Sequence, residues 1–242
     1  ALWRAWLAAG GARPAVMAGH SLGEFSALVC AGVFDFADAV RLVRQRGAFM
    51  QDAVPVGEGS MAAIIGLDDQ AINSACQAVA EELGEVVAAV NFNSPGQVVI
   101  AGRVAAVEAA IEACKAAGAK RAMPLPVSAP FHTELMRPAG DQLAEAMGSI
   151  TLSRPEIPVV HNVNASTETD PGAIRQLLVE QISAPVQWTR CVQQMAGTGV
   201  SCIVECGPGK VLSGLNRRID RGLESYGIET PDDFAATLSA LA

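Results

Sequence analysis

A serine held between two glycines at a strand-to-helix boundary restricts this chain's fold more than any other part of it. Gly19-His20-Ser21-Leu22-Gly23 follows the short apolar run Ala15-Val16-Met17-Ala18 and leads into an apolar helical stretch reaching about Cys30. A strand that turns straight into a helix feeds a parallel sheet, because the helix carries the chain back for the next strand. The G-x-S-x-G spacing bends the serine backbone sharply and displays Oγ at the carboxyl end of the strand, where a side chain at either glycine is expected to collide. The helix N-terminus then faces any negative charge that develops there. A plainer reading competes: Ser21 and Glu24 fit an S-x-x-E capping box, which needs no chemistry but leaves Gly19 unexplained.

The rest of the chain alternates in the same sense. Ala1–Leu7 is a helical face with no capping residue before it, which reads as the interior of a longer unit, and Gly10-Gly11 ends it. A second helix, Phe36 to Ala53, carries Arg41, Arg44 and Arg46, and three arginines on one helix usually form a solvated face. Strand Met61–Ile65, helix Asp69–Leu83, strands Val86–Asn91 and Gln97–Ala101, helix Val104–Ala117 and strand Arg121–Pro126 follow as β-α-β-β-α-β. Asn93-Ser94-Pro95-Gly96 supplies a turn between the inner strands, so they are expected to form an antiparallel hairpin. Helices at 133–147, 173–181 and 188–196 and strands at 157–162 and 202–206 return the chain to parallel character. The expected fold is α/β: a parallel-sheet body, residues 1–54 and 129–242, interrupted by a split-βαβ lobe, residues 55–128.

Composition removes whole classes of function. Half of the 242 residues are apolar and 17% are charged, which suits a buried core rather than a disordered chain. Lys plus Arg number 17 against 25 for Asp plus Glu, a net charge of -8, so there is no global basic field for nucleic acid. The six cysteines, Cys30, Cys76, Cys114, Cys191, Cys202 and Cys206, form no C-x-x-C pair and lack a nearby His to complete a zinc site, and read as reduced thiols. No apolar run reaches the roughly 18 residues that span a bilayer, and Arg4 and Arg13 interrupt the start before a signal-peptide pattern develops. The expectation is a cytoplasmic monomer with no metal, membrane or nucleic acid.

A serine hydroxyl needs a base within hydrogen-bond reach, and the chain has three histidines. His20, adjacent to Ser21, is expected to point away from it. His161 ends a strand, where a lone histidine is more often structural. His132 lies in the proline-punctuated loop Ser128-Ala-Pro-Phe-His-Thr133 just before a helix, and is favoured over His161.

Taken in order, Gly-His-Ser-Leu-Gly-Glu at 19–24, Arg46-Gly47, Asn91-Phe-Asn-Ser-Pro-Gly-Gln97, Pro126-Val-Ser-Ala-Pro-Phe-His132, Pro185-Val-Gln-Trp188 and Glu205-Cys-Gly-Pro-Gly-Lys210 resemble the malonyl-CoA:acyl carrier protein transacylase family and the related acyltransferase domains of fatty-acid and polyketide synthases. The resemblance covers nearly the whole chain. It implies an α/β-hydrolase-like body with an inserted ferredoxin-like lobe, Ser21 as nucleophile, His132 as base and Arg46 as partner of the substrate's free carboxylate. It implies that the Leu22 N–H is an oxyanion donor and that a main-chain carbonyl near Gln187, rather than an acid, orients the base. Asn93 and His20 join the substrate site, and Phe131 is expected to crowd the carbon that would carry a methyl branch. No cofactor is implied: malonyl-CoA is substrate, CoA product and acyl carrier protein the partner.

The family's opening strand and its Phe-Pro-Gly-Gln-Gly-Ser-Gln segment, with the second oxyanion donor, are absent, so an incomplete body is expected. An acidic carrier and a net-negative chain repel, so docking requires a local basic patch. Lys210, Arg217, Arg218 and Arg221, of which the three arginines are read as one helical face, are the first choice, and Lys115, Lys120 and Arg121 the second. Two other readings stand beside transfer: a serine hydrolase or thioesterase using the same elbow, for which a buried Arg46 has no use, and a non-catalytic binding fragment.

Overall fold

The computed structural model describes residues 1–127 and 129–241. Ser128 of the histidine motif and Ala242 lie outside them. In chain order the elements are α1 (Leu2–Ala8), β1 (Met17–Ala18), α2 (Leu22–Cys30), α3 (Phe36–Asp52), β2 (Gly59–Ile65), α4 (Asp69–Leu83), β3 (Val87–Ser94), β4 (Gln97–Arg103), α5 (Val104–Ala116), β5 (Arg121–Pro124), a 3₁₀ turn (Glu134–Met136), α6 (Arg137–Met147), β6 (Val159–Val160), α7 (Pro171–Glu180), α8 (Trp188–Gly197), β7 (Cys202–Glu205), α9 (Val211–Ile219), β8 (Glu224–Gly227) and α10 (Pro231–Ala240).

The result is an α/β molecule with both parallel and antiparallel sheets. In the middle of the chain, β3-β4-β2-β5 form one antiparallel sheet. Its hairpin turns at Pro95-Gly96, where Gly96 takes φ +71, a conformation that favours glycine. Helices α4 and α5 start at residues with β-region backbone, and their apolar stripes (Ile72, Cys76, Val79; Ala106, Val107, Ala110, Ile111, Cys114) close a core against Ala62, Ile64, Val98 and Ile100. Asp68 caps α4 by accepting the Ala71 N–H, and Gly84 ends it at φ 65.

Flanking this unit, β1 pairs in parallel with β6 and β7 with β8. The expected parallel pairing is therefore present, but as two short pairs rather than one continuous sheet. The expected strand at 157–162 shrinks to Val159–Val160 because the main-chain N–H groups that follow bond elsewhere: that of His161 donates to the Ser166 carbonyl and that of Asn162 to Glu24 Oε2. The helix expected from Thr133 starts as a 3₁₀ turn and becomes α6 only at Arg137, with Pro138 in the first turn, where its missing N–H is harmless. A core of Phe25, Leu28, Leu42, Met136, Leu143, Ile174 and Leu178 joins α2, α3, α6 and α7 beneath the serine turn.

The central sheet is stitched to the rest through its β3 edge. Phe92 N–H donates to the Val186 carbonyl (3.0 Å), Val186 N–H to the Val90 carbonyl (2.8 Å), and Thr189 Oγ1 to the Phe92 carbonyl (3.0 Å). Among the described residues no helix is long and apolar enough to cross a membrane, and no group of three or more His, Cys, Asp or Glu could hold a metal ion.

Candidate active site

Ser21 sits between the end of β1 and the start of α2 with φ 50 and ψ -108, a combination that L residues rarely adopt. Gly19 makes this turn possible: a Cβ there would lie 1.9 Å from the backbone of Gly23. The expected collision does not extend to Gly23, where an added Cβ meets nothing within 4 Å. Its position in the first turn of α2 faces open space, so only the first glycine of the motif is required sterically. The capping-box reading also fails. Ser21 makes no side-chain cap bond, since its Oγ–H donates to His132 Nε2 at 2.8 Å, and the Glu24 carboxylate turns inward, fully buried.

His132 reaches Ser21 from the loop before the 3₁₀ turn, itself at φ 64, with only 4% of its surface exposed. Its Nδ1 lies 2.9 Å from the Gln181 carbonyl. A carbonyl can only accept, so the proton sits on Nδ1 and Nε2 is the bare acceptor facing Ser21. Burial pushes the imidazole down to about 3, against the pull of the Gln181 carbonyl and with help from Arg46 and His20. The ring is thus neutral at neutral pH, the form in which it can take a proton. The carbonyl expected near Gln187 is that of Gln181 instead. Gln187 is committed elsewhere, its N–H donating to the Asn162 carbonyl and its own carbonyl accepting from Cys191 at the start of α8.

Arg46 departs from its neighbours. Arg41 and Arg44 lie on the solvated face of α3, whereas Arg46 falls on the buried stripe Ala39, Leu42, Arg46, Met50. Its Nη2 donates to Ser21 Oγ (3.0 Å) and to Gln181 Oε1 (3.0 Å), and its guanidinium lies 5.4 Å from the Phe25 ring centroid. Arg46 Nε is buried without a partner. Burial lowers the guanidinium to about 10, countered by Glu24, so it stays charged. No carboxylate among the described residues forms an ion pair with it.

Glu24, Asn162 and Gln181 complete a buried network that the sequence reading missed. Glu24 accepts from His161 Nδ1 (2.7 Å), Asn162 N–H (3.0 Å) and Gln181 Nε2 (2.8 Å). His161 is therefore a fully buried partner of Glu24, set apart from the nucleophile. Asn162 had one available signal, its place just past the carboxyl end of a parallel strand, where sites gather in such sheets.

The remaining expected residues scatter. Leu22 is the first residue of α2, so its N–H has no acceptor within the helix. His20 Nε2 bonds Asn93 Oδ1 at 2.8 Å and its ring tilts against Trp188, with burial lowering its basicity. Phe131 is half-buried and packs against both the body core and a small cluster of Met61, Val90 and Val99. The basic group does not form one helical face. Helix α9 stops at Ile219, which leaves Arg221 in the following turn, while Lys210 pairs with Asp233 at 3.4 Å and Arg218 bonds Gln97. Arg217 and Arg221 do share an open cleft of about 640 Å³ with Leu223, Glu224, Ser225 and Tyr226. Lys115, Lys120 and Arg121 are exposed, Lys115 paired with Glu112 at 2.7 Å.

The chain as a whole is similar to known proteins. The acyl transferase domain family matches residues 1–230. The malonyl CoA-acyl carrier protein transacylase of Escherichia coli (strain K12) is 60% identical over 238 residues, 98% of this chain and 76% of that protein. Its namesake in Bacillus subtilis (strain 168) is 45% identical over 231 residues, 96% of this chain and 73% of that protein. The crystal structure of an acyl carrier protein S-malonyltransferase from Vibrio cholerae superposes with a TM-score of 0.95 at 54% identity, covering 98% of this chain and 76% of the other. A malonyl-transacylase solved in complex with its type II PKS acyl-carrier protein gives 0.97 at 51% identity, covering 99% and 77%. The chain belongs to the acyl transferase family, among the malonyl CoA-acyl carrier protein transacylases.

Proposed function

We propose that this chain moves a malonyl group from malonyl-CoA to the phosphopantetheine thiol of an acyl carrier protein through an ester on Ser21, in fatty-acid synthesis in the cytoplasm. The observation that carries the reading is Arg46: a charged, buried guanidinium 3.0 Å from Ser21 Oγ with an unpartnered Nε and, among the described residues, no carboxylate paired with it. A buried cation left unpaired is costly, and an acyl group ending in a carboxylate supplies the missing partner, whereas an acetyl group or a neutral ester does not. That favours malonyl transfer over the hydrolase reading.

In the first half-reaction His132 Nε2 takes the Ser21 proton as Oγ attacks the thioester carbon, the oxygen gathering charge toward the Leu22 N–H at the α2 N-terminus. Collapse breaks the C–S bond, and CoA leaves as the thiol with the proton from His132. In the second half-reaction the carrier's thiol gives its proton to His132 and attacks the Ser21 ester, and the same proton returns to Oγ. The Gln181 carbonyl holds the imidazole in the tautomer both steps need. Phe131, beside the base, is read as the residue that disfavours a methyl branch, and the His20–Asn93 pair as a wall of the substrate site.

The finer architecture belongs to the same proposal: an α/β-hydrolase-like body, 1–54 and 129–242, with a ferredoxin-like lobe at 55–128. The strand order β3-β4-β2-β5 with two helices in its core supports it. The acyl group would lie between the two, near a cleft of about 530 Å³ that reaches His132 and Thr133. The test is mass spectrometry of the protein mixed with malonyl-CoA. What decides is whether a malonyl ester forms on Ser21 and vanishes in Ser21→Ala, and whether His132→Ala slows it by about 10²-fold or more while His161→Ala does not. A malonylated Ser21→Ala protein would overturn the assignment.

A further inference from the structure

We propose that Asn162 is a positioning residue of the serine turn: its carboxamide holds Ser21 in its strained conformation and sorts the turn's N–H groups, engaging that of Ser21 and leaving that of Leu22 for the acyl oxygen. The inference rests on the reading of Ser21 as nucleophile. Asn162 is fully buried and follows β6, the strand paired in parallel with β1, which delivers Ser21. Its Oδ1 accepts the Ser21 N–H at 2.7 Å and its Nδ2 donates to the Gly19 carbonyl at 2.8 Å. One amide therefore spans the turn, bonding the residue before His20 and the residue after it.

The partners also fix which way the amide points. An N–H must meet oxygen and a carbonyl must meet NH₂, so the side chain cannot flip without losing both bonds. Its main chain is held as firmly, the N–H donating to Glu24 Oε2 (3.0 Å) and the carbonyl accepting from Gln187 N–H (2.9 Å). A second buried amide completes the grip. Gln181 Nε2 donates to the Ser21 carbonyl (3.1 Å) and to Glu24 Oε2 (2.8 Å). Because both are acceptors, Gln181 Oε1 is left facing Arg46. Ser21 is thus bonded at its N–H by one carboxamide and at its carbonyl by another.

The consequence is chemical. A donor already bonded at 2.7 Å to a fixed oxygen is not free for a substrate oxygen, whereas Leu22, opening α2, has a helix-terminal N–H with no acceptor within the helix. The turn offers two successive amides, and Asn162 decides which one acts.

Backbone amide exchange, followed residue by residue in the unmodified protein, tests this without acylation, so its failure is distinct from a failure to trap an ester on Ser21. The Ser21 amide is expected to exchange at least 100-fold more slowly than that of Leu22; equal rates, or the reverse order, overturn the proposal. The second arm uses Asn162→Ala and Asn162→Asp. Single-turnover acylation should fall at least tenfold in both, while the Kd for malonyl-CoA, measured with each change in a Ser21→Ala background, stays within about twofold. Asn162→Asp should regain rate as pH is lowered from about 8 to 6, because a protonated carboxyl again donates to the Gly19 carbonyl. Unchanged acylation, or a loss matched by binding or by folded fraction, assigns Asn162 a purely structural part. The exchange measurement needs no variant and decides the matter even where a substitution prevents folding.

Discussion

Arg46 carries its charge where water does not reach, and Glu24 keeps it there without occupying it. Gln181 stands between them, accepting from Arg46 and donating to Glu24, so the carboxylate's field is felt while the guanidinium's buried Nε is left without a partner. Arg46→Ala should lower malonyl acylation about 100-fold and narrow the preference over acetyl-CoA, since the acyl carboxylate would then be buried unpaired at a cost of about 3 kcal/mol or more. Competition between malonyl-CoA and acetyl-CoA reads this directly, and an unchanged preference refutes the role. His132 makes a second prediction, of stability against pH. Its folded value of about 3 lies below the ordinary 6.5, so between those limits the unfolded chain binds a proton that the native one does not. The stabilisation is complete above 6.5 and is lost as pH falls toward 3, by up to about 1.4 kcal/mol per pH unit. Urea midpoints of the protein and of His132→Asn from pH 7.5 to 4.5 should diverge accordingly; parallel curves would show the imidazole to be less buried than described.

Among the elements, the turn from β1 to α2 is the most tightly determined. A two-residue strand and a nine-residue helix contribute little by themselves, and the geometry holds because Gly19 lets the backbone of Gly23 approach. Gly19→Ala should therefore cost about 3 kcal/mol and abolish acylation, as the clash is with backbone that cannot move aside. Gly23→Ala has open space around it and no positive φ, so thermal stability should be unchanged or slightly raised. Equal damage from the two substitutions would mean that both glycines are steric requirements. Helix α3 shows the complementary case. Asp35 caps it by accepting from Ala37 and Asp38, and its buried stripe carries Arg46 inward, which a count of arginines on a helix reads as solvent-facing.

At the scale of the whole molecule, the segment 181–189 ties the parts together: the Gln181 carbonyl orients the His132 imidazole, Val186 bonds the edge of β3 and Thr189 bonds Phe92. Arg218 reaches Gln97 across the same junction, so it is a poor test of docking. Arg217 and Arg221, which line one open cleft, are the better pair for an acidic carrier. Reversing both to Glu should raise the KM for carrier protein about tenfold and flatten its salt dependence while leaving Ser21 acylation by malonyl-CoA intact; an equal fall in both half-reactions would place the docking surface elsewhere. The alternation of apolar periods determined by itself the helices α3, α4 and α5, the antiparallel hairpin and the serine turn, since each is built from neighbours in the chain whose patterning and turn residues act locally. The proline-punctuated loop around His132 also favoured it over His161. What only the tertiary structure decided is how distant polar groups meet: that Glu24 faces His161 rather than capping α2, that the carbonyl of Gln181 and not one near Gln187 meets His132 Nδ1, that Asn162 closes the turn, and that Arg46 donates to both Ser21 Oγ and Gln181. The physical reason is that a buried donor or acceptor must find a partner, and here the partners lie from 25 to 141 residues away along the chain, where no period or spacing records them.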